Sequence, residues 1–367
     1  MDIDRASRLC FSPDYATARA RFLDACRVFG IEVDSHENPR RGPAGEVLAT
    51  DAAWVGPKDA RHVVAMISGT HGVEGFCGGG AQLDWLLSGG TASLPRDTAV
   101  LLVHAVNPFG WAWLSRTTEE NVDLNRNWVD FSTPLPRNDG YDELAAHLVP
   151  GEIEGPAREA ADAALAGWRR TRSLQQWLRA VSSGQYDHPH GLFYGGAGPT
   201  WARRTEEAIM DRHHLAQRDT VTVLDMHTGL GPYGYGEPIS HMPQGSEARE
   251  RVMATWGESV TEPARGTSVS TIRRGLSAFG WRDRLGERCV FVTFEFGTRS
   301  VDEVIDSLRG DCWARRRGLD ASDPLQQRLR AATRRAFFPD AADWNELVLA
   351  RSRQVMRQAL AWAGARA

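Results

Sequence analysis

The chain has 367 residues, 42% hydrophobic and 25% charged, a balance that supports a packed core and excludes wholesale disorder. A formal charge of −4 offers no global attraction to a polyanion, so neither nucleic acid nor an anionic membrane surface is expected as a partner. The five cysteines (Cys10, Cys26, Cys77, Cys289, Cys312) are scattered and form no C-x-x-C pair, which argues against a disulfide framework and against a cysteine zinc site.

The N-terminus carries early acids and no apolar stretch of the signal-peptide kind, and no run reaches the ~18 apolar residues of a membrane span. A soluble protein of the reducing cytoplasm is expected. From Ser12 to Gly30 apolar residues recur at helical intervals, with Ser12 placed to cap the first turn and Pro13 suited to the first helical position. From Arg61, RHVVAMISGTHGVEG is a β-branched run ending in glycines, and AQLDWLLSGG after it has helical spacing. AVLLVHAVNPFG, ending at Asn107, Pro108 and Gly110, and DTVTVLDMHTGLGPYG, ending in a glycine-rich loop after His227, read as buried strands of a helix-covered sheet.

RCVFVTFEFGT breaks at Gly297 and precedes the helical stretch SVDEVIDSLRGDCWARR. Strands alternating with helices predict a three-layer α/β/α architecture. Residues 135–200 are arginine-rich and helical with proline breaks, and read as a helical insertion beside the sheet; residues 323–367 are helical again. One large domain over residues 1–367 is expected, with its C-terminal helices beginning near residue 300.

Four segments carry candidate chemistry. His71 and Glu74, three apart among glycines at the end of a predicted strand, can face one ion, although the same pair also suits a solvated loop. His227 stands at the end of a second strand, where ligands gather in open α/β sheets; alone it also reads as a satisfied core histidine. Together the three form a two-histidine, one-carboxylate set of the kind zinc accepts with water in the fourth position. Glu295 lies inside the apolar run FVTFEFG, a costly place for a carboxylate unless it is paired or functional: it reads either as a buried ion pair or as a general base.

The fourth segment, NVDLNRNW (Asn121–Trp128), holds Asn125 beside Arg126, a pair suited to forked recognition of a carboxylate, and Asp123, which could orient a metal-bound histidine. Arg116, ten residues before Arg126, is a cation able to neutralise a developing oxyanion. His104 reads as a hydrogen-bonded core histidine, His188 and His190 as loop residues, and His213 and His214 as a helix surface. Trp111, Trp113 and Trp128 stand close enough to the motifs to line a pocket.

HGVEG, NVDLNRNW, DMHTG and FEFGT, in that order, resemble the zinc carboxypeptidase superfamily, which includes deacylases like aspartoacylase and succinylglutamate desuccinylase. SGTHGVEGF, HAVNPFGWAW, GLFYGG and DMHTGLGPYG resemble, more narrowly, the DUF2817 group within it. The resemblance implies a mostly parallel, mixed and twisted sheet and one zinc ion per chain. It implies His71, Glu74 and His227 as ligands, Glu295 as the base that activates water, and Asp123 as support for the first histidine. It also implies Asn125 and Arg126 as the holders of the substrate's carboxylate, with Arg116 as candidate to polarise the scissile carbonyl.

The expected activity is hydrolysis of an amide beside a free carboxylate, carboxypeptidase-like, on a small peptide. The alternative is deacylation of N-acyl amino acids by the same site; a remoter one is a binding protein without catalysis. No G-x-S-x-G nucleophile elbow is present to suggest a serine hydrolase. Tyr233 and Tyr235 fall, close behind His227, in the interval where secreted carboxypeptidases carry a mobile tyrosine, and which of them, if either, matches it is left open. Another divalent metal and homo-oligomerisation are left open.

Overall fold

The computed structural model of the chain describes residues 1–318 and 320–365; the last two residues of the expected C-terminal helical stretch lie outside the described residues. Seven strands form one sheet: β1 (Val33–Arg41), β2 (Val47–Val55), β3 (His62–Ile67), β4 (Thr98–His104), β5 (Thr220–Tyr233), β6 (Gly236–Ser240) and β7 (Cys289–Gly297). Their order across the sheet is β1-β2-β4-β3-β5-β7-β6. The central four, β4-β3-β5-β7, run parallel, and antiparallel pairings add β2 and β1 at one edge and β6 at the other.

The four parallel strands are the four read from the sequence. β3 and β4 are buried along their whole length, as valine- and leucine-rich strands covered on both faces must be. Phe291 and Phe294 of β7 point to opposite faces of the sheet. Phe291 meets Trp281 of the helix Ser277–Leu285, while Phe294 meets Trp256 of the helix Glu247–Trp256. Helices therefore cover both faces, and the expected three-layer α/β/α architecture with a mixed, mostly parallel sheet is present.

The first long helix spans Tyr15–Val28, and its cap is Asp14, whose carboxylate accepts from Thr17 N at 2.7 Å. The expectation for Ser12 and Pro13 is thus corrected. Ser12 Oγ instead accepts from Arg21, and the carboxylate two residues later takes the first-turn N–H, a role it fills as well as a serine does. Residues 135–200 hold the expected helices, the longest being Pro156–Arg170 and Leu174–Ser182. Their apolar faces, including Leu165, Trp177 and Val181, form a second core with Val304, Leu308 and Trp313 of the helix Val301–Arg316. This second core closes over the carboxyl edge of the sheet. No described helix is long and apolar enough to cross a membrane.

Candidate metal centre and substrate cavity

β3 ends at Ile67 and the chain turns through Gly69, at φ +70°, into a single 3-10 turn, Gly72–Glu74. Residues three apart eclipse in such a turn, which brings His71 and Glu74 to one side. Gly72 is required here, because a Cβ at that position would stand 2.1 Å from the backbone of Gly110. Close approach also lets Gly72 N and Val73 N bond to Arg116 O and Ser115 O at 3.1 and 2.9 Å, which ties the His71 turn to Arg116.

On β5, Asp225 and His227 are two apart and so share a face. Glu295 of β7 is the register partner of His227, which places its carboxylate beside the histidine on that same face. The strand ends and the turn therefore converge at the carboxyl edge of the parallel sheet, where ligands of such sheets collect.

His71, Glu74 and His227 come together with almost no exposure, their ligand atoms all within 4.8 Å of one another. Glu74 lies between the imidazoles: Oε1 is 2.9 Å from His71 Nδ1 and Oε2 is 3.0 Å from His227 Nδ1. The two Nδ1 atoms are 3.2 Å apart. The outer nitrogens face carboxylates, His71 Nε2 at 3.1 Å from Asp123 Oδ1 and His227 Nε2 at 2.7 Å from Asp225 Oδ2. Thr70 Oγ1 donates to the other oxygen of Asp225 at 2.8 Å, and Thr228 N donates to Glu74 Oε2 at 2.9 Å.

This donor set fits a metal ion. Atoms bound tetrahedrally at about 2.0–2.1 Å stand about 3.3 Å apart, close to the spacings observed here. Asp225 behind His227 fixes that ring in the tautomer in which Nδ1 is free to ligate, and Asp123 stands behind His71, whose Nε2 also meets Arg116. The electrostatics agree with a cation-binding point. Burial works against the Glu74 carboxylate, but the charge of His71 and the hydrogen bonds of both imidazoles outweigh it and hold Glu74 below the usual carboxylate range. Burial also opposes a charged His227, yet Asp225 and Glu74 raise it well above the ordinary histidine value.

Arg116 joins this cluster, with Nε on Asp123 at 3.0 Å, Nη1 on Glu74 at 2.8 Å and Nη2 2.8 Å from His71 Nε2. The contacts at His71 Nε2 make opposite demands: an N–H there donates to Asp123, whereas a bare nitrogen accepts from Arg116. Asp123 itself is held well below the usual range because Arg116 and then Arg126 outweigh the burial that opposes ionisation.

A cavity opens beside the cluster, lined by His71, Arg116, Asn125, His227 and Glu295 among others. Glu295 accepts from Leu230 N at 3.1 Å and from no other protein donor among the described residues. Burial, and after it the nearby Glu74 carboxylate, push its carboxyl above the usual range. Asn125 is held by Ser277, whose N and Oγ both donate to Oδ1 at 2.9 Å.

Arg126 is placed apart. It is fully buried and outside the cavity lining, with Nη1 and Nη2 each 2.5 Å from a backbone carbonyl, those of Asn125 and Ser182. Of the tryptophans near the motifs, Trp111 packs on Gly75 and Phe76, Trp128 packs on Gly280, and Trp113 bonds to Arg41 O. None of the three lines the cavity, which corrects the expectation. Tyr233 and Tyr235 are exposed and also lie outside the lining. His104 is a core histidine as read, 3.0 Å from Gln82 Oε1.

Three contributors were not singled out from sequence. Asp225 carried a signal, the same-face spacing D-x-H on a strand. Arg273 and His241 line the cavity but sit in segments with no pattern to distinguish them from other polar loop residues.

The fold and the site thus define an α/β protein with a two-histidine, one-carboxylate cluster able to hold a metal at the carboxyl edge of its sheet. The chain belongs to the DUF2817 family, described as proteins of unknown function, whose model matches residues 11–351. No curated protein matches it. Among solved structures it is similar to bovine thrombin-activatable fibrinolysis inhibitor in complex with tick carboxypeptidase inhibitor (13% identity, covering 94% of this chain and 98% of that one, TM-score 0.43). It is also similar to carboxypeptidase A from Helicoverpa armigera (13%, 90% and 75%, 0.42) and to an aspartoacylase family protein from Mesorhizobium loti (14%, 77% and 66%, 0.37). These likenesses stay below a TM-score of 0.5, so the chemistry is argued from the residues of this chain.

Proposed function

We propose that the protein is a zinc-dependent hydrolase that cleaves an amide bond next to a free carboxylate, carboxypeptidase-like in its chemistry. The observation that carries this reading is the convergence of His71 Nδ1, His227 Nδ1 and the Glu74 carboxylate at the edge of the cavity that His71, His227 and Glu295 line. Zinc suits such a donor set, and one ion bound there would polarise a carbonyl and make water more acidic.

The chain's own residues supply the rest. Asp123 and Asp225 hold the two imidazoles in orientation. The Glu295 carboxylate, with one oxygen fixed by Leu230 N and its affinity for a proton raised by burial, takes a proton from the attacking water and returns it to the leaving amine. Arg116, beside His71 and Glu74, places positive charge near the carbonyl oxygen as negative charge develops on it. Asn125 faces the cavity and meets the substrate's carboxylate, while Arg126 behind it holds the backbone of Asn125 and Ser182.

The main reading is removal of a C-terminal residue from short peptides. Deacylation of N-acyl amino acids presents the same carbonyl, amine and carboxylate. It is favoured by one observation: Leu178, Ser182 and Phe193, on and just after the helices of the insertion, line the cavity and enclose it around a small substrate. The test offers zinc-loaded protein peptides and N-acyl amino acids in pairs with free or amidated carboxylates, read by mass spectrometry. Cleavage of the free-carboxylate members alone is expected, and product masses separate the two classes. No cleavage of any member by metal-loaded protein would contradict the proposal.

A further inference from the structure

Part of the cavity lining comes from the segment 266–277. Gly275, at φ +71°, lies so close to the backbone of Arg126 that a Cβ there would stand 2.4 Å from Arg126 O. Gly275 O accepts from Trp128 N at 3.1 Å, and Ser277 grips Asn125 Oδ1 with two donors. The segment is thereby fastened to residues 125–128, and Arg273, two residues before Gly275, is brought to the same wall as Asn125.

Both side chains have unused donors. The backbone N–H of Ser277 can only donate, so the oxygen of Asn125 faces it, and the amide nitrogen is left with no hydrogen bond among the described residues. Arg273 lines the cavity with no hydrogen bond or ion pair among the described residues, and its Nε is buried without a partner. The other two arginines of the region differ. Arg116 is engaged by Glu74, Asp123 and His71; Arg126 shares the partnerless Nε, but both of its terminal nitrogens are held by backbone carbonyls. A buried N–H without a partner is costly, and a carboxylate supplies the forked acceptor that the Arg273 guanidinium lacks.

One further part of the lining is apolar. Val304, Ile305 and Leu308 of the helix Val301–Arg316 line it together with Phe337.

We propose that Arg273, with the amide of Asn125, receives the substrate's carboxylate, and that the same substrate carries an uncharged apolar group lodged against Val304, Ile305, Leu308 and Phe337. The inference rests on the hydrolase reading for the identity of the bond cleaved, but the anchor itself is a binding property. Positive charge at Arg273 also stands within electrostatic reach of Glu295, which opposes the burial that lowers its own pKa.

The test is calorimetric titration of 4-methylpentanoate and 4-methylpentanamide, an acid and an amide with one apolar tail, into wild type, Arg273→Gln and Arg273→Lys. Each is used zinc-loaded and after chelation. Wild type is expected to prefer the acid at least tenfold in both metal states, Arg273→Gln to bind acid and amide alike, and Arg273→Lys to keep part of the preference. Acetate should bind at least tenfold more weakly than the longer acid.

An acid preference that survives in Arg273→Gln, or that vanishes from wild type on chelation, would overturn the anchor. Acetate binding as tightly as 4-methylpentanoate would overturn the apolar subsite. Wild type that binds the acid through Arg273 yet cleaves no amide would leave the anchor standing and remove the hydrolase reading. Unchanged thermal unfolding of Arg273→Gln shows that its loss is one of binding.

Discussion

Two groups of residues around the cavity use the same side-chain types in opposite ways. His71, His227 and Arg116 are hydrogen-bonded to carboxylates, whereas His241 has no hydrogen bond and Arg273 no partner among the described residues. The consequence is visible in their protonation. Burial opposes charge in all four, yet Asp225 raises His227 above the ordinary histidine value, whereas burial and then Arg273 lower His241 to about 3. Likewise Asp123 and Glu74 raise Arg116, while burial lowers Arg273. Paired groups hold a fixed geometry, and unpaired donors at a cavity are prepared for a ligand that supplies their partners.

The comparison breaks most sharply at the ligands. His227→Ala removes one arm of the cluster, and we expect loss of bound metal by elemental analysis with turnover reduced on the order of a thousandfold or more. Glu295→Gln leaves the three ligands in place; metal content should stay at the wild-type level while kcat falls by about 10²–10⁴. A variant that kept full activity would show that Glu295 is not the base. Asp225→Asn tests whether the carboxylates behind the histidines matter, and metal affinity measured by competition with a chelator should fall about 10–100-fold.

The smallest effect sharpens the comparison away from the site. Glu206 is buried, accepts from Trp281 Nε1 at 3.0 Å through one oxygen and has no partner for the other. Burial pushes its pKa up to about 8, against about 4.3 in an unfolded chain. The folded state therefore keeps a proton that the unfolded state releases. The resulting stability is fully present below about pH 4.3 and is lost as pH rises towards 8. Glu206→Gln should melt a few degrees higher than wild type near pH 8, with the gap closing near pH 5, as followed by thermal unfolding across that range. A gap independent of pH would mean that Glu206 does not hold its proton.

Legibility followed burial and periodicity. The central strands β3, β4, β5 and β7 were readable because strands buried on both faces become continuous apolar runs. β1 was not, since VDSHENPRR is a polar edge strand with Pro39, and proline is tolerated where no ladder bond is needed. β2 was hidden by Asp51 in its middle, a charge that is buried with partners from elsewhere in the chain, Arg19 at 2.7 Å from a distant helix and Ser35 on β1. β6 is five residues long and contains Pro238.

At the site, His71, Glu74, His227 and Glu295 were legible because each ends or interrupts an apolar strand beside glycines. The two arginines of the same region could not be ranked by sequence. Arg126 stands in the more informative motif but is enclosed by backbone carbonyls. Arg273 stands in STIRRG, indistinguishable among 43 basic residues until the packing of Gly275 places it at the cavity. Long-range packing decides which guanidinium lines the cavity, and local sequence does not encode it.

The most direct measurement is the metal stoichiometry of purified protein, by elemental analysis after dialysis against zinc, for wild type beside His71→Ala and His227→Ala. The account predicts about one zinc per chain in wild type and a loss of that zinc in both variants. A wild-type chain that retains none, or variants that retain as much as wild type, would contradict the assignment of the two Nδ1 atoms and the Glu74 carboxylate as a metal centre.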